Sequence, residues 1–516
     1  MALVLAMLAG CATPLPHIDR RAAASEAIPL STASTLGRIA MASQPEPAVS
    51  GFRLMPLGSF SLDTRTQLAR RAEVSLDLQY YHFENDETGR WLLRALRDAA
   101  LRGVRVRLLL DDYYTGGNDE LFLGLAAYPN VDVRIFNPFC CARDRGQNLR
   151  LLASLDDFGR VNHRMHNKLF IADGAMAVIG GRNVANEYYL RGTSDNFIDL
   201  DAFVAGWILP PLQGLFDRYW NSDPVYPLQA VARSGLDPQA LRDRFEALTG
   251  PAGTPPPEPL PPNDVLGYGP IADDLDGGRL GLIWGDAYVF ADHPDKPFES
   301  QAGGDLLETS VTYNVYEAIR KAAKSVVASS PYFVPGPHGM ELLRELRSRN
   351  VDVTVLTNSL GSTDEPAVHQ GYSRYREDML RMGVHLYELS STRVKKNKHL
   401  FLFNQSLGRL HAKLVVIDKQ TCFIGSMNLD PRSATLNTEL GAVIKSPQLA
   451  RELLRVIDID RLQSAYKVRL KPEGAGIEWI AEGDEEQMVL DTEPDSTPWL
   501  RFKQWLLSPL VPEELL

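Results

Sequence analysis

The feature that most constrains this chain is a motif that occurs twice. Arg164-Met165-His166-Asn167-Lys168-Leu169-Phe170-Ile171-Ala172-Asp173 is followed by Gly180-Gly181-Arg182-Asn183. Arg409-Leu410-His411-Ala412-Lys413-Leu414-Val415-Val416-Ile417-Asp418 is followed by Gly425-Ser426-Met427-Asn428. His to Lys, His to Asp and His to Asn are spaced identically in both copies, so any fold must place two equivalent sites.

The surroundings repeat as well. Ala72 to Tyr80 alternates like a strand, Gly89 to Ala100 has helical apolar spacing, and Val104 to Leu110 and Val131 to Ile135 are strand-like. Ser325 to Ala328, Gly339 to Arg347, Val351 to Leu356, Tyr372 to Met382 and Val384 to Tyr387 repeat that succession. Strand, helix, strand, helix, strand predicts a sheet with crossover helices, and its return predicts duplication of a whole α/β domain. The expected limits are 52–225 and 276–470. Between them lies a Pro-rich connector, 226–275, centred on Thr254-Pro255-Pro256-Pro257-Glu258-Pro259-Leu260-Pro261-Pro262 and expected to be extended.

Residues two apart on a strand share a face, so His166 and Lys168 are expected to point the same way, as are His411 and Lys413. Asp173-Gly174 reads as a two-residue hairpin turn. That count sets Gly181 opposite His166 and Asn183 level with Arg164; in the second copy it sets Ser426 opposite His411 and Asn428 level with Arg409. Asp173 and Asp418 stand at the same spacing in each copy and are candidate catalytic acids, but the hairpin reading makes them residues that shape the turn.

Each part suits phosphoryl chemistry. A neutral imidazole can attack phosphorus while a second imidazolium protonates the departing oxygen. Lys168 and Lys413 supply positive charge for phosphate oxygens, and Asn183, Asn428 and Ser426 can hydrogen-bond them. Each His needs an acceptor to fix its tautomer. The candidates are Asp199, with Asp201 as a weaker rival, for the first copy and Glu439 for the second. No HxxxH, CxxC or clustered carboxylate pattern calls for a metal, and no cofactor is expected.

Outside the repeats, the apolar run ending in Leu8-Ala9-Gly10-Cys11 looks like a bacterial lipobox with Cys11 as the lipidated residue, although a basic n-region is missing. Residues 1–11 are then a signal peptide and 12–51, rich in Ala, Ser and Pro, a tether. At the other end, 471–516 form a tail in which Trp499-Leu500-Arg501-Phe502-Lys503-Gln504-Trp505-Leu506-Leu507 is amphipathic and suits a membrane interface or a docked helix. The net charge of -11 opposes a nucleic-acid partner. Cys140, Cys141 and Cys422 read as buried thiols.

Two copies of His-x-Lys-x4-Asp-x6-Gly-x2-Asn resemble the phospholipase D superfamily over roughly residues 52 to 470. The first copy with Gly180-Gly181-Arg182-Asn183, together with the Trp/Leu-rich tail, looks most like the bacterial type C cardiolipin synthases. The resemblance implies two phospholipase D-like α/β domains, each a mixed sheet flanked by helices, packed around one shared cleft. It implies a phosphohistidine intermediate on His166, with His411 protonating the leaving alcohol and deprotonating the acceptor. It further implies membrane phospholipids as partners: phosphatidylglycerol as acceptor, phosphatidylethanolamine as a candidate second lipid, and a membrane-anchored lipoprotein on the periplasmic side of a bacterial envelope. Hydrolysis to phosphatidic acid remains open as an alternative, as does a phosphodiesterase or nuclease, because the acceptor is chosen by pocket shape and water exclusion.

Overall fold

In the computed structural model the described residues are 23–140, 143–144, 147–296, 310–396, 407–472, 474, 476–481, 488–507 and 512–513. Cys11 and Cys141 lie outside them.

The first half builds strands β1 (Ser50–Met55), β2 (Ser75–Tyr80), β3 (Arg105–Asp111), β4 (Val131–Phe136), β5 (Leu169–Ala172), β6 (Met176–Gly180), β7 (Asp195–Ile198), β8 (Asp201–Gly206) and β9 (Val225–Pro227). In space they run β9-β4-β3-β2-β5-β6-β8-β1, with β2, β3 and β4 parallel and the other pairings antiparallel. The crossover helices Glu87–Leu101 and Asp119–Ala126 link the parallel strands. Asp86 starts the first of these, its carboxylate accepting from the Gly89 N–H at 2.9 Å.

The second half repeats this with β10 (Ile283–Ala291), β11 (Ser325–Ser329), β12 (Asp352–Asn358), β13 (His385–Leu389), β14 (Leu407–Leu410), β15 (Leu414–Ile417), β16 (Thr421–Gly425), β17 (Leu440–Lys445) and β18 (Ala465–Leu470). Their order is β18-β13-β12-β11-β15-β16-β17-β10, the same topology strand for strand. β1 and β10 pair antiparallel at Ser50–Gly285 and Phe52–Ile283, which fuses both halves into one 18-stranded sheet. Beneath the seam a single apolar core draws Phe52, Leu169 and Ile179 from the first half and Leu414, Ile444 and Leu453 from the second. Burying such side chains is the main force joining the halves.

Four sequence expectations need correction. The segment 12–51 is not a plain tether: Thr35–Ser43 is a helix, Ser34 caps it, and Leu36, Ile39 and Ala40 at helical spacing are buried in the core. The connector is helical at Leu228–Val231, Pro238–Thr249 and Ile271–Asp276, the second started by Asp237 with Pro238; 232–237 and 250–270 lack regular structure. The tail contributes β19 (Ile477–Ala481) and β20 (Met488–Leu490), which extend the sheet beyond β18.

The hairpin register is the fourth. Asp173 and Gly174 have φ of 51° and 62°, and the Ala175 N–H donates to the Ala172 carbonyl at 2.9 Å, as a tight turn requires. The ladder nevertheless resumes at Ala172–Met176, leaving Ala175 as an extra residue. The second copy behaves alike, with Ile417 opposite Thr421. Continuing that register puts Arg182, not Gly181, level with His166, and Met427, not Ser426, level with His411.

The turn aspartates have a clear structural task. Asp173 accepts from the N–H groups of Glu73, Val74 and Ser75 at 2.8–3.2 Å, and Asp418 from Ala323, Lys324 and Ser325 at 2.7–2.9 Å. Each carboxylate fastens the entry of β2 or β11, at the end of its hairpin remote from the histidine. Asp173→Ala should lower stability by about 1–3 kcal/mol through three N–H groups left without their acceptor. Urea unfolding checks this, and an unchanged midpoint would show that the carboxylate does not hold the β2 entry.

Candidate active site

Both motifs sit where parallel strands end. Asp111, the last residue of β3, accepts from the Met165 N–H at 2.8 Å and pairs with Arg164 at 3.1 Å. Asn358, the last residue of β12, accepts from the Leu410 N–H and donates to the Leu410 carbonyl, both at 2.9 Å. Each His-x-Lys segment is thereby held extended just ahead of β5 or β15, not within the strand.

The two segments then reach into opposite halves. Met165 bridges Thr438 in parallel, with the His166 N–H donating to the Thr438 carbonyl at 2.8 Å and the Thr438 N–H to the Arg164 carbonyl at 3.0 Å. β14 pairs in parallel with β7, and the His411 N–H donates to the Ile198 carbonyl at 2.7 Å. Thr438 precedes Glu439, and Ile198 precedes Asp199. The histidines consequently exchange acids: His166 Nδ1 lies 2.9 Å from Glu439, and His411 Nδ1 lies 2.6 Å from Asp199. Sequence order had assigned each acid to the histidine of its own half; the cross-strand pairing reverses this. Asp201 is occupied elsewhere, 3.0 Å from Arg65 and 2.6 Å from the Ser61 hydroxyl.

With Nδ1 donating to a carboxylate, each Nε2 is left as the reactive nitrogen. Lys168 and Lys413 donate to the carbonyls of His166 and His411 at 2.7 and 2.6 Å. The ammonium of Lys413 also lies 2.9 and 3.1 Å from the two ring nitrogens of His411. His and Lys therefore share a side, as the spacing predicts.

The small residues support the acids. A Cβ on Gly181 would meet the Asp199 carboxylate at 2.1 Å, so only glycine lets that carboxylate approach. In the second half the Ser426 hydroxyl donates to Glu439 and accepts from the Leu440 N–H, which commits it to the acid and not to a phosphate. Asn183 is committed likewise, its amide donating to the Tyr188 hydroxyl at 2.9 Å and accepting from the His82 N–H at 3.2 Å. Asn428 differs: its side-chain oxygen has no hydrogen-bond partner among the described residues.

Burial sets the electrostatics. His166, Lys168, Glu439, His411, Lys413 and Asp199 are all buried. Burial, then Lys168 and Lys413, push His166 well below its ordinary pKa, and burial with Lys413 pushes His411 down against the pull of Asp199. Burial also lowers Lys168 well below the usual ammonium range and Lys413 to about 8, each opposed by the carboxylates. Burial would raise Asp199, yet His411, its hydrogen bond and Lys413 keep it below the carboxylate range; for Glu439 burial wins over Lys168, Ser426 and Ser433, and lifts it to about 7. Lys413 acts on His166 and Lys168 as well, so the two motifs share one charge environment. An anion placed among two imidazoles and two ammoniums would reverse the cost of charging them.

The walls are aromatic. Tyr81 lies 5.2 Å from the His166 ring and below Lys168, while Tyr188 and Phe197 lie 5.1 and 4.8 Å from His411. A vestibule of about 430 Å³ is bordered by His82, Glu187, Asp364, Arg191, Arg409 and Phe197, the last lying against the His411 ring. His82, which has no repeated context in the sequence, lines this vestibule. Asp111 and Asn358 were also missed, although aligning the two halves shows an Asp or Asn closing the same strand in each. Cys422 is buried as expected, whereas Cys140 is half-buried.

Two buried His–carboxylate pairs with two lysines around one cleft, on a duplicated α/β sheet, define an enzyme of the phospholipase D type. The family model described as "Cardiolipin synthase, PLD-like domain" matches residues 66–207 and 315–460, and the chain belongs to that family. It is 37% identical over 479 residues to cardiolipin synthase C of Escherichia coli, covering 90% of this chain and 96% of that one. It is 31% identical over 479 residues to an uncharacterized protein of Helicobacter pylori, covering 90% and 89%. The crystal structure of phosphatidylserine synthase from Haemophilus influenzae shares the fold, with a TM-score of 0.57 at 12% identity over 92% of this chain and 96% of that one.

The crossed pairing has a direct spectroscopic consequence. In 15N-histidine-labelled protein, Asp199→Asn should move the His411 ring resonances most and Glu439→Gln those of His166. The opposite pattern would return each acid to its own half.

Proposed function

We propose that this protein is a phosphatidyltransferase that makes cardiolipin by moving a phosphatidyl group to the hydroxyl of phosphatidylglycerol. The observation that carries the reaction class is the exchange of carboxylates between His166 and His411, which presents two Nε2 atoms to one cleft. The 37% identity to a cardiolipin synthase over 96% of its length supports the acceptor.

In the proposed reaction His166, its imidazole kept neutral by burial and the lysines, attacks the donor phosphorus through Nε2. His411 protonates the departing alcohol, then takes the proton from the acceptor hydroxyl as that oxygen displaces His166. Lys168, Lys413 and the side-chain N–H of Asn428 hold the phosphate oxygens, the lysines placing charge in advance where it is needed. Asp199 and Glu439 orient the imidazoles. Asp173 and Asp418 serve the hairpins, and Ser426 and Asn183 serve the frame around the site. Glu187 and Asp364 in the vestibule suit a donor with an ammonium headgroup, phosphatidylethanolamine among them.

Membrane association belongs to the same proposal. Among the described residues no helix is long and apolar enough to cross a membrane. The stretch between β4 and the first motif instead exposes Leu149, Leu152, Leu155 and Phe158 at intervals of three, and the helix Pro498–Leu507 exposes Trp499, Phe502 and Leu506. Arg150 ties the first of these to the cleft rim through a 2.6 Å pair with Asp112 beside Tyr113. Both faces, with lipidation at Cys11, would hold the cleft at the periplasmic side of a bacterial membrane.

Labelled phosphatidylglycerol, with and without phosphatidylethanolamine, should yield cardiolipin. Phosphatidic acid as the sole product would leave a lipase. His166→Ala and His411→Ala should each slow turnover at least ~100-fold, the lower end for acid–base groups. With Cys11→Ala as background, Leu152→Asp combined with Leu155→Asp should weaken co-sedimentation with phosphatidylglycerol vesicles at least ~10-fold, given the transfer energy of two leucines. Unchanged sedimentation would assign membrane contact to another face.

A further inference from the structure

A closed ring of hydrogen bonds encircles Glu439, the acid of His166. Its main chain exchanges bonds with Asp292, just past the end of β10. The Glu439 N–H donates to the Asp292 carboxylate and the Asp292 N–H to the Glu439 carbonyl, both at 3.0 Å. Lys296 donates to the same carboxylate oxygen at 2.7 Å and to the Ser433 carbonyl at 3.0 Å. Ser433 closes the ring, its hydroxyl donating to the Glu439 side chain at 2.8 Å. The other Asp292 oxygen accepts from the Val311 N–H at 2.9 Å. From the first half, the Tyr219 hydroxyl donates to the Asp292 carbonyl at 2.6 Å.

This ring places two carboxylates together in the interior. The side chains of Asp292 and Glu439 have no exposure, whereas that of Lys296 keeps 15% of its surface. Two buried carboxylates so close compete for a single proton unless a cation lets both ionise. Burial lifts Asp292, Lys296 opposes it, and Glu439 pushes it further up. Burial likewise lifts Glu439, against Lys168, Ser426, Ser433 and Lys296. The remaining titratable groups that act on Glu439 or respond to it are His166, Lys413, Asp430 and Tyr219. Lys168 and Lys413 face the phosphate, whose own charge offsets theirs when substrate is bound. Lys296 is held by Asp292 and Ser433, so its charge stays beside the two acids.

The first half meets the same need differently. Arg182 is buried and donates to the carbonyls of Asp199, Met55 and Pro56. In the second motif its place is taken by Met427, which carries no charge. Lys296 brings the missing cation in from another part of the chain. We propose that Lys296, acting through Asp292 and Ser433, is a positioning residue for the reaction, keeping the Glu439 carboxylate aimed at His166 Nδ1 with a fixed positive charge behind it. This rests on the reading of His166 and His411 given above and adds a residue outside both motifs.

The test is the pH profile of kcat/KM with phosphatidylglycerol, together with the ring resonances of 15N-histidine-labelled protein. Lys296→Met leaves Asp292 unpaired beside Glu439, so one of them takes up a proton more readily. The acidic limb should move to higher pH by about half a unit or more. The His166 resonances should move more than those of His411. Lys296→Arg should keep the wild-type limb. Lys296→Gln can still donate to the Ser433 carbonyl but carries no charge, and should behave as Lys296→Met does. A wild-type limb with unmoved His166 resonances in the Met or Gln variant, whatever happens to thermal stability, would reduce Lys296 to a support of the fold and overturn the proposal. Should Lys296→Met fail to fold, the Gln and Arg variants carry the comparison. Should wild type turn over no lipid, the phospholipid reading fails, and the pH titration of the His166 resonances in wild type and Lys296→Gln still decides the role of Lys296.

Discussion

The site depends on two short parallel pairings that cross between the halves: Met165 with Thr438, and β14 with β7. Backbone hydrogen bonds are directional, and a parallel pair fixes which residue stands beside which. Once Thr438 is bonded on both sides by Arg164 and His166, Glu439 has one place to go, against the His166 ring. The same holds for Ile198 and Asp199 at His411. The fused sheet and shared core make the halves one body, but these two pairings decide that the body has a site.

Near-symmetry makes the departures from it informative. Asp199 stays below the carboxylate range beside an imidazole and a lysine, whereas Glu439 is lifted to about 7 by its burial. Gly181 makes room for one acid, and Ser426 hydrogen-bonds the other. Asp111 anchors one motif and Asn358 the second. The proposed reaction, with His166 as nucleophile and His411 as proton carrier, calls for different surroundings at each, and these three pairs of residues differ between the halves.

Much of this was legible in the residues, because it depends on local spacing. Apolar period two marked every strand from Ser75 to Phe136 within a few positions, and the repeat at a distance marked the duplication. The fixed spacing of His, Lys and Asn marked the site. What escaped depends on contacts between residues far apart in sequence. Order along the chain pairs Asp199 with His166, and only the packing of the halves exchanges them. Ala175 looks like any strand residue, yet it is the extra residue that shifts the hairpin by one. Leu36 and Ile39 looked like part of a tether because nine residues of weak helical spacing show their meaning only against the core they fill.

The crossed pairing also bears on how the protein is made. A growing chain that already carries the entire first motif still lacks the strand partner and the carboxylate of His166 until Thr438 and Glu439 have left the ribosome. A fragment truncated between Lys168 and Glu439 holds His166 without the carboxylate that orients its imidazole. The site around His166 is therefore completed only near the end of synthesis, when the second half closes on the first.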